Sequence, residues 1–328
     1  MNADLITVVV PAYNNAPWLP RCLDSLLKQT HENLQIIVVN DGSTDDTQAV
    51  LDDYTARYDR IKAIHKENGG VTSARLAGVA AAEGQWIGFL DGDDYVEQQM
   101  FAHLLGNAEK YGADISHCGY QLNFPDGRTE YHYNTGMIRQ QDKLTGLRDL
   151  VEERQVEPGL CNKLFRRELF DTLEQQMDCK IRNNEDMLMN YYLFSAAEKA
   201  VYEDVCPYHY CFREESASRR KLNAHQLYDP IAVRRQILKI CPEPLRETAQ
   251  DALLRTYLHK YAQLTLEKST EYTADRKRIR ELLMEQKGLF GVLSVRNRIL
   301  ANMICSAPWT FHVAYRVYVR LFQREEQH

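Results

Sequence analysis

The sequence lacks long apolar runs, paired-cysteine motifs and the glycine fingerprint of dinucleotide-binding enzymes. No uninterrupted apolar stretch approaches the ~18 residues of a membrane-spanning helix. The N-terminus has neither the basic nor the apolar region of a signal peptide, so we expect a cytoplasmic protein. The eight cysteines form no CxxC unit, which argues against zinc and against a disulfide framework. No Gly-x-Gly-x-x-Gly follows the first predicted strand, which disfavours a Rossmann dehydrogenase.

Length and composition indicate a folded protein that does not bind nucleic acid. The 328 residues suffice for one large domain or two smaller ones. Since 44% of them are hydrophobic, the chain can bury a substantial core. The formal net charge of −6 makes general nucleic-acid binding an unlikely function class.

Short β-rich runs alternate with helical patterns over the first 120 residues. This alternation predicts βαβ units and a mostly parallel sheet flanked by helices, an α/β fold. The predicted strands are Leu5–Val10, Leu34–Val39, Ile61–His65, Trp86–Leu90 and Ile115–Cys118. The predicted helices are Leu19–Lys28, Asp45–Tyr58, Ser73–Glu83 and Glu97–Tyr111. Residues 121–160 are less regular, with a hairpin turn predicted at Pro125-Asp126-Gly127.

Polar motifs follow three of the predicted strands. They are Pro11-Ala12-Tyr13-Asn14, Asn40-Asp41-Gly42-Ser43 and Asp91-Gly92-Asp93-Asp94. Ligands of open parallel sheets bind beyond the carboxyl ends of the strands, so we expect these motifs to converge at one edge.

The aspartate cluster after the fourth strand is costly to assemble. At about 4 Å, two like charges repel by ~4 kcal/mol at an effective dielectric constant near 20. Asp91, Asp93 and Asp94 therefore suggest a cation or a polyol as ligand, and oxygen-only ligands suit Mg²⁺ or Mn²⁺. The alternative is a solvated turn, because Asp and Gly are common turn residues.

Taken together, the ordered motifs resemble those of inverting family 2 glycosyltransferases of the bacterial surface-polysaccharide type. The matching segments are residues 8–14, residues 39–45, the Asn68-Gly69-Gly70-Val71-Thr72-Ser73-Ala74-Arg75 run and residues 90–94. The resemblance covers roughly residues 5–215. It implies a GT-A-like fold, a nucleotide-sugar donor that is UDP-linked, and a glycan or lipid-linked glycan acceptor.

The resemblance also implies donor-binding residues. Asp41 would contact a uracil-type base, and Asp91 would bind the ribose or sugar hydroxyls. Pro11 fixes φ and is expected to end the first strand, so that the following backbone can meet a base edge. Arg75 offers a rigid fork to a diphosphate or to the acidic cluster, with a surface arginine as the alternative. The complete predicted donor set is Pro11, Ala12, Tyr13, Asn14, Asp41, Asn68, Arg75, Asp91 and Lys163.

Metal ligation is predicted at two residues. By the family pattern, Asp93 would hold Mg²⁺ or Mn²⁺. His209, with Arg213 shortly after it, would complete metal or diphosphate binding; the alternative is a packed, hydrogen-bonded histidine. Lys163 likewise has a structural alternative to contacting the donor phosphates.

A catalytic base is predicted in Asn184-Glu185-Asp186. The acceptor hydroxyl must lose a proton as the new bond forms. By the family match, Asp186 would be the base and Glu185 a supporting or acceptor-binding carboxylate. The alternative is that both acidic residues only complement the dipole at a helix N-terminus.

From about Ala224 the pattern is helical to the end, so we predict a glycosyltransferase domain over residues 1–223 and a helical region over residues 224–328. Between Lys287 and Arg324 there is no Asp or Glu. His312, Arg316, Arg320 and Arg324 form a polar stripe on a helix whose other faces are apolar. This pattern favours a helix on an anionic membrane surface, at the inner face of the cell membrane; a helix packed on the protein is the alternative.

The sequence therefore predicts metal-dependent transfer of one sugar to a bacterial surface glycan. One rival is a nucleotidyltransferase, which also places a divalent metal and phosphates on a parallel sheet. A second rival is a catalytically idle nucleotide-sugar-binding protein of the same fold.

Overall fold

The computed structural model describes residues 4–154, 156–213, 222–267 and 270–322. The chain divides into two compact units, residues 1–222 and 223–328. The first unit is built on a sheet, and the second contains helices in its described part.

The described part of the first unit forms one sheet of ten strands. Its order is β3-β2-β1-β4-β9-β6-β10-β5, with β7 beside β6 and β8 beside β10. Neighbours among β1 to β4 pair in parallel, whereas β9 pairs antiparallel with both β4 and β6. The strands are Ile6–Ala12 (β1), Leu34–Asp41 (β2), Ile61–Lys66 (β3), Trp86–Phe89 (β4), Tyr95–Val96 (β5), Ile115–Asn123 (β6), Thr129–Tyr131 (β7), Ile138–Asp142 (β8), Lys163–Arg166 (β9) and Lys199–Cys211 (β10).

Helices flank this sheet, and the predicted α/β fold is confirmed. All five predicted strands and all four predicted helices are present. The largest difference is at β6, which continues five residues beyond Cys118. The helices are Leu19–Leu27 (α1), Thr47–Arg57 (α2), Val71–Ala80 (α3), Met100–Tyr111 (α4), Lys143–Glu152 (α5), Leu173–Gln176 (α6) and Glu185–Ala196 (α7).

Strand β1 lies at the centre of the parallel part of the sheet and is buried along its length. The expectation that Pro11 ends this strand is wrong by one residue, because Pro11 pairs in register with Val39 and Ala12 with Asn40. A proline near a strand end removes only one ladder donor, which the sheet tolerates.

Helix α3 packs directly against β1 because Gly78 faces Val9. A Cβ at Gly78 would lie 2.3 Å from Val9 Cγ1. Nearby, Ala74 packs in a buried cluster with Ile37 and Val39 of β2. This close contact fixes the first turns of α3, which contain Arg75, relative to the sheet.

The predicted hairpin turn is confirmed between β6 and β7. The Gly127 N–H donates to the Phe124 carbonyl over 3.0 Å, and Gly127 has a φ of +87°. The left-handed φ explains a glycine at this position.

Helices make up the regular structure described in the second unit. The first begins after Asn223, whose side chain accepts from the Gln226 N–H in a capping box. The helices are Ala224–Ile240 (α8), Arg246–Leu266 (α9), Thr273–Glu285 (α10), Val295–Ser306 (α11) and Pro308–Phe322 (α12). None of the helices in the described ranges is both long enough and apolar enough to cross a bilayer.

Candidate active site

The loops that follow β1 and β2 are joined by hydrogen bonds at the carboxyl edge of the sheet. The Asn14 N–H donates to Ser43 Oγ over 3.0 Å, and the Thr44 N–H donates to Asn14 Oδ1 over 2.8 Å. Asn14 has a φ of +54°, a conformation that asparagine adopts more readily than most residues. Ala12 is buried, whereas the Tyr13 side chain is 51% exposed. Tyr13 therefore offers an aromatic face at this edge, and Asn14 holds the two loops together.

The Asp41 carboxylate ties the second loop to the start of α3. It accepts from Lys66 Nζ over 2.6 Å and from the N–H groups of Gly69 and Gly70 over 2.9 and 2.8 Å. Gly42 has a φ of +73°, and a Cβ there would lie 2.8 Å from Asn68 N. Asn68 is exposed in the resulting turn. The structure thus brings Asp41 and Asn68 together through glycine backbone.

Arg75 is buried and bridges two predicted functional motifs. One guanidinium nitrogen donates to Asp91 Oδ1 over 3.1 Å, and the other donates to Glu185 Oε1 over 3.3 Å. Burial alone would lower the Arg75 pKa, but the carboxylates of Asp91 and Glu185 outweigh it and raise the pKa. The alternative of a surface arginine is therefore wrong, and Arg75 faces the acidic cluster.

Asp91 and Asp93 each pair with an arginine while keeping part of their surface open. Asp91 pairs with Arg75, and the Asp93 carboxylate contacts the guanidinium of Arg213. That guanidinium also lies over the Trp18 ring, 4.0 Å from its centroid. Arg21 donates to the Asp93 carbonyl over 3.0 Å and fixes the loop backbone. The sequence contained no motif that marked Arg21.

Asp94 fastens the same loop to β10. Its carboxylate accepts from the Tyr208 hydroxyl and from the Cys211 N–H. Burial raises the pKa of Asp94 to about 7, and repulsion from Asp91 adds to this increase. The sequence placed Asp94 in the acidic cluster, with a solvated turn as the alternative, and gave no signal for Tyr208, which lies 114 residues further along the chain.

Glu185 and Asp186 begin helix α7, where Asn184 adopts a left-handed conformation at the N-cap. Asp186 accepts from the Met187 N–H over 2.8 Å and retains partial exposure. Burial raises the pKa of Glu185 to about 7, and the neighbouring Asp186 charge contributes. Burial also raises the pKa of Asp186, against the lowering effect of Arg75. The pair therefore holds protons more strongly than ordinary carboxylates do.

Lys163 does not have the predicted access to a donor. The residue is fully buried, and its Nζ donates to the carbonyls of Glu157 and Gly159 over 2.8 and 2.5 Å and to Asn162 Oδ1 over 2.8 Å. Burial lowers the pKa of Lys163 to about 8. The structure supports the structural alternative, because the three hydrogen bonds of this ammonium hold the loop before β9.

His209 is likewise packed and hydrogen-bonded, and the prediction of a metal ligand here is wrong. Its ring stacks on Tyr95, with centroids 4.1 Å apart. Nδ1 contacts Asn123 Nδ2 at 3.0 Å, and Nε2 contacts Gln121 Nε2 at 3.2 Å. Burial lowers the His209 pKa. A neutral imidazole accepts at only one nitrogen: Nδ1 accepts from Asn123, and Nε2 carries the proton 3.6 Å from Glu97 Oε1, so no lone pair is left for a metal ion.

The remaining carboxylates fit a divalent ion only in part. In the described ranges no group of three His, Cys, Asp or Glu side chains is placed to hold a metal. Mg²⁺, however, is commonly bound by one or two carboxylates together with substrate phosphates. The partly exposed carboxylates of Asp91 and Asp93 fit that arrangement. A metal would therefore arrive with a phosphate-bearing ligand rather than occupy a preformed protein cage.

The family profile described as "Glycosyl transferase family 2" matches residues 7–174. The chain is 38% identical to the "Uncharacterized glycosyltransferase EpsJ" of Bacillus subtilis, over 60% of this chain and 57% of that protein. It is 30% identical to the "Minor teichoic acid biosynthesis protein GgaB" of the same organism, over 65% of this chain and 23% of that protein. The chain thus spans about half, or less, of the length of these curated relatives.

Among solved structures, the fold is similar to residues 1–349 of S. aureus TarS, crystallised with UDP-GlcNAc. The TM-score is 0.72 at 18% identity, and the match covers 98% of this chain and 92% of that chain. At this identity the likeness establishes the GT-A-like fold.

Proposed function

The chain belongs to glycosyl transferase family 2, and on that premise we propose that it transfers one sugar from a UDP-linked donor, with inversion, to a bacterial surface glycan. The observation that carries the proposal is the bridge made by Arg75. This buried arginine joins Asp91, which follows a strand, to Glu185, which begins a helix 110 residues beyond Arg75. The carboxylates proposed to bind the donor and to act as the base are thus linked through one arginine.

A solved structure of the same fold and two features of the edge formed by β1 and β2, Asp41 and Tyr13, support the donor proposal. S. aureus TarS, which shares the fold, was crystallised with UDP-GlcNAc. Asp41 is positioned by three donors beside the loop that exposes Tyr13. A base could lie between these loops, with Asp41 accepting from its N–H edge. Asp91 would then bind the ribose or sugar hydroxyls.

We propose that Asp93 binds Mg²⁺ or Mn²⁺ together with the donor diphosphate. When bound, such an ion stabilises the negative charge that develops on the leaving diphosphate. Arg75 supports this arrangement because it holds Asp91 in place and supplies a fixed positive charge nearby. Arg21 keeps the backbone of Asp93 at the same edge.

We propose Asp186 as the base that accepts the proton of the acceptor hydroxyl. Glu185 is engaged by Arg75, whereas Asp186 keeps partial exposure toward solvent. A raised pKa favours this role, since a base works best when its pKa lies near the working pH. As the acceptor oxygen bonds to the anomeric carbon, the bond to the diphosphate breaks on the opposite face. One displacement inverts the configuration.

The proposed acceptor is a glycan or lipid-linked glycan, and the proposed location is the cytoplasm, at the inner face of the cell membrane. The name of the relative GgaB, a teichoic acid biosynthesis protein, supports a cell-surface polymer as product. Because the match covers only 57% of EpsJ and 23% of GgaB, the acceptor has to be identified by experiment.

A panel of nucleotide sugars with Mg²⁺ or Mn²⁺ tests the proposal. Thermal shift identifies the donor, because a ligand at 100 times its dissociation constant stabilises the fold by ~2.7 kcal/mol. Product analysis then identifies the reaction. Release of nucleoside diphosphate supports glycosyl transfer, and proton NMR of the product gives the anomeric configuration. Release of pyrophosphate would instead indicate a nucleotidyltransferase, and binding without turnover an idle binding protein.

A further inference from the structure

Helix α12 packs on α9 through Phe311, which is buried against Tyr261, and leaves an apolar stripe exposed. The hydroxyl of Tyr261 on α9 hydrogen-bonds His312 Nε2 at 3.1 Å, and Arg316 Nε donates to the Thr265 carbonyl over 3.0 Å. Trp309, Val313 and Val317 recur every four residues and are 70%, 58% and 48% exposed. The sequence predicted a polar stripe of His312, Arg316, Arg320 and Arg324; in the structure His312 is half-buried, whereas Arg316 and Arg320 are exposed. The predicted Arg324 lies outside the described residues.

Helix α11 extends the apolar surface. It packs against α12, and its inward side buries Ala301, Ile304 and Cys305. On its outward side Val295 and Ile299, one turn apart, are 72% and 56% exposed. We call the exposed apolar residues of α11 together with the Trp309 side of α12 the outer face; its apolar members are Val295, Ile299, Trp309, Val313 and Val317.

Basic side chains are interspersed with this apolar surface. Arg320 follows Trp309 by eleven residues, about three helical turns, and so lies on the same side of α12. Arg296 and Arg298 are exposed beside Val295 and Ile299. From residue 287 to residue 322 the sequence contains no Asp or Glu. The outer face therefore carries positive charge on a chain whose net charge is −6.

We propose that the outer face binds the surface of an anionic lipid bilayer. Exposed apolar surface rimmed by charge marks an interaction site, and tryptophan with arginine is typical of the interface between lipid and water. Arginine can extend its head group to lipid phosphates while its methylene stem stays in the apolar layer. A second copy of the chain fits less well, because a two-fold contact would oppose arginine to arginine. The proposal does not depend on the donor chemistry.

Sedimentation of the full chain with vesicles tests the apolar part. We expect binding to vesicles of equimolar phosphatidylglycerol and phosphatidylcholine, and much weaker binding to phosphatidylcholine alone. Val313→Asp with Val317→Asp should weaken binding at least roughly tenfold, because the stripe can no longer enter the interface. The matched control is Ile240→Asp, an exposed aliphatic residue on α8, which should bind as the parent does.

The charged part is tested by Arg296→Gln with Arg320→Gln. Each arginine near an anionic surface should contribute roughly fivefold to the partition coefficient, so the pair should lower it about 25-fold at low salt. Lys277→Gln with Arg278→Gln, on the exposed side of α10, removes the same charge and should have little effect. Brominated lipids should quench the fluorescence of the parent but quench Trp309→Phe much less.

Three outcomes would overturn the proposal. The first is that the parent does not bind anionic vesicles, and the second is that the Val313→Asp, Val317→Asp variant binds as tightly as the parent. The third is that the Arg296→Gln, Arg320→Gln variant loses no more binding than the Lys277→Gln, Arg278→Gln control. Light scattering tests the alternative that the outer face binds a second copy of the chain. If the parent forms a dimer and does not bind vesicles, and the Val313→Asp, Val317→Asp variant is a monomer, the outer face is a dimer contact. Unchanged thermal melting in buffer shows that each variant is folded.

Discussion

Two pairs of carboxylates in the first unit have the same chemistry but different surroundings. Asp91 and Asp93, at the end of β4, are partly exposed and each pairs with its own arginine. Glu185 and Asp186, at the start of α7, have Arg75 as a common influence, and both have raised pKa values. The first pair is therefore suited to binding cations and hydroxyls, and the second to receiving a proton. Environment rather than residue type separates the two roles.

Removing a carboxylate of the first pair should have the largest effect. We expect Asp93→Ala to abolish metal-dependent donor turnover while the protein stays folded, because the proposed metal loses its protein ligand. Asp91→Ala should weaken donor binding as well. Isothermal titration with UDP and Mn²⁺, together with turnover, measures both effects. Asp126→Ala, a pairing carboxylate of the hairpin turn, is the control. Normal turnover by folded Asp93→Ala without added metal would contradict the assignment.

Neutralising the second pair should separate chemistry from binding. Asp186→Asn keeps the shape but removes the proton acceptor, so the transfer rate should fall ~10²–10⁴-fold while donor affinity is retained. Single-turnover kinetics and donor titration give the two numbers. Transfer by this variant at the parental rate would exclude Asp186 as the base and leave Glu185 as the next candidate.

Arg75 connects the two pairs, and its replacement tests whether they form one site. Arg75→Ala leaves carboxylates without their buried counter-charge, a class of change that typically destabilises by about 3 kcal/mol. Arg75→Lys restores the charge but not the fork, so it should recover stability more than transfer rate. Urea unfolding and kcat measure these quantities. Equal recovery of both would indicate that only charge matters at this position.

The smallest expected effect is on pH dependence. The base must be deprotonated, so transfer should increase as the pH rises through the raised pKa of Asp186 and then level off. Glu185→Gln removes a neighbouring negative charge and should move this inflection to lower pH. A raised carboxyl pKa also means that the stability contribution of Glu185 is complete below 4.5 and is lost as the pH rises through about 7. Glu185→Gln should therefore flatten the free energy of unfolding across this window. An unchanged inflection would argue that other groups control the rate.

The convergence of the motifs was predictable because it follows from parallel strands and their carboxyl ends. Asp41 and Asp91 both lie where that rule places them. The roles of Lys163 and His209 depend on burial and on partners that strands β9 and β10 bring from distant parts of the chain. Strand β9 pairs antiparallel with β4, whereas β10 pairs parallel with β6 and antiparallel with β5. This mixed pairing leaves no local motif in the sequence.

The same limit applies to α12. Helical periodicity identified the polar stripe, but periodicity does not say which side of the helix meets the protein. Tyr261 on α9 sets that side, because its ring packs on Phe311 and its hydroxyl hydrogen-bonds His312. Orientation of an amphipathic helix depends on its neighbour as well as on its own sequence.

The contact between Arg75 and Glu185 also affects the order in which the chain folds during its synthesis. The two residues are 110 positions apart in the sequence, so forming their contact closes a long loop and costs conformational entropy. A nascent chain that ends before Glu185 would contain β1 to β4 and α3, yet lack one of the two carboxylates that neutralise Arg75. The proposed active site therefore forms late, and turnover would report that the chain has been synthesised and folded at least through α7.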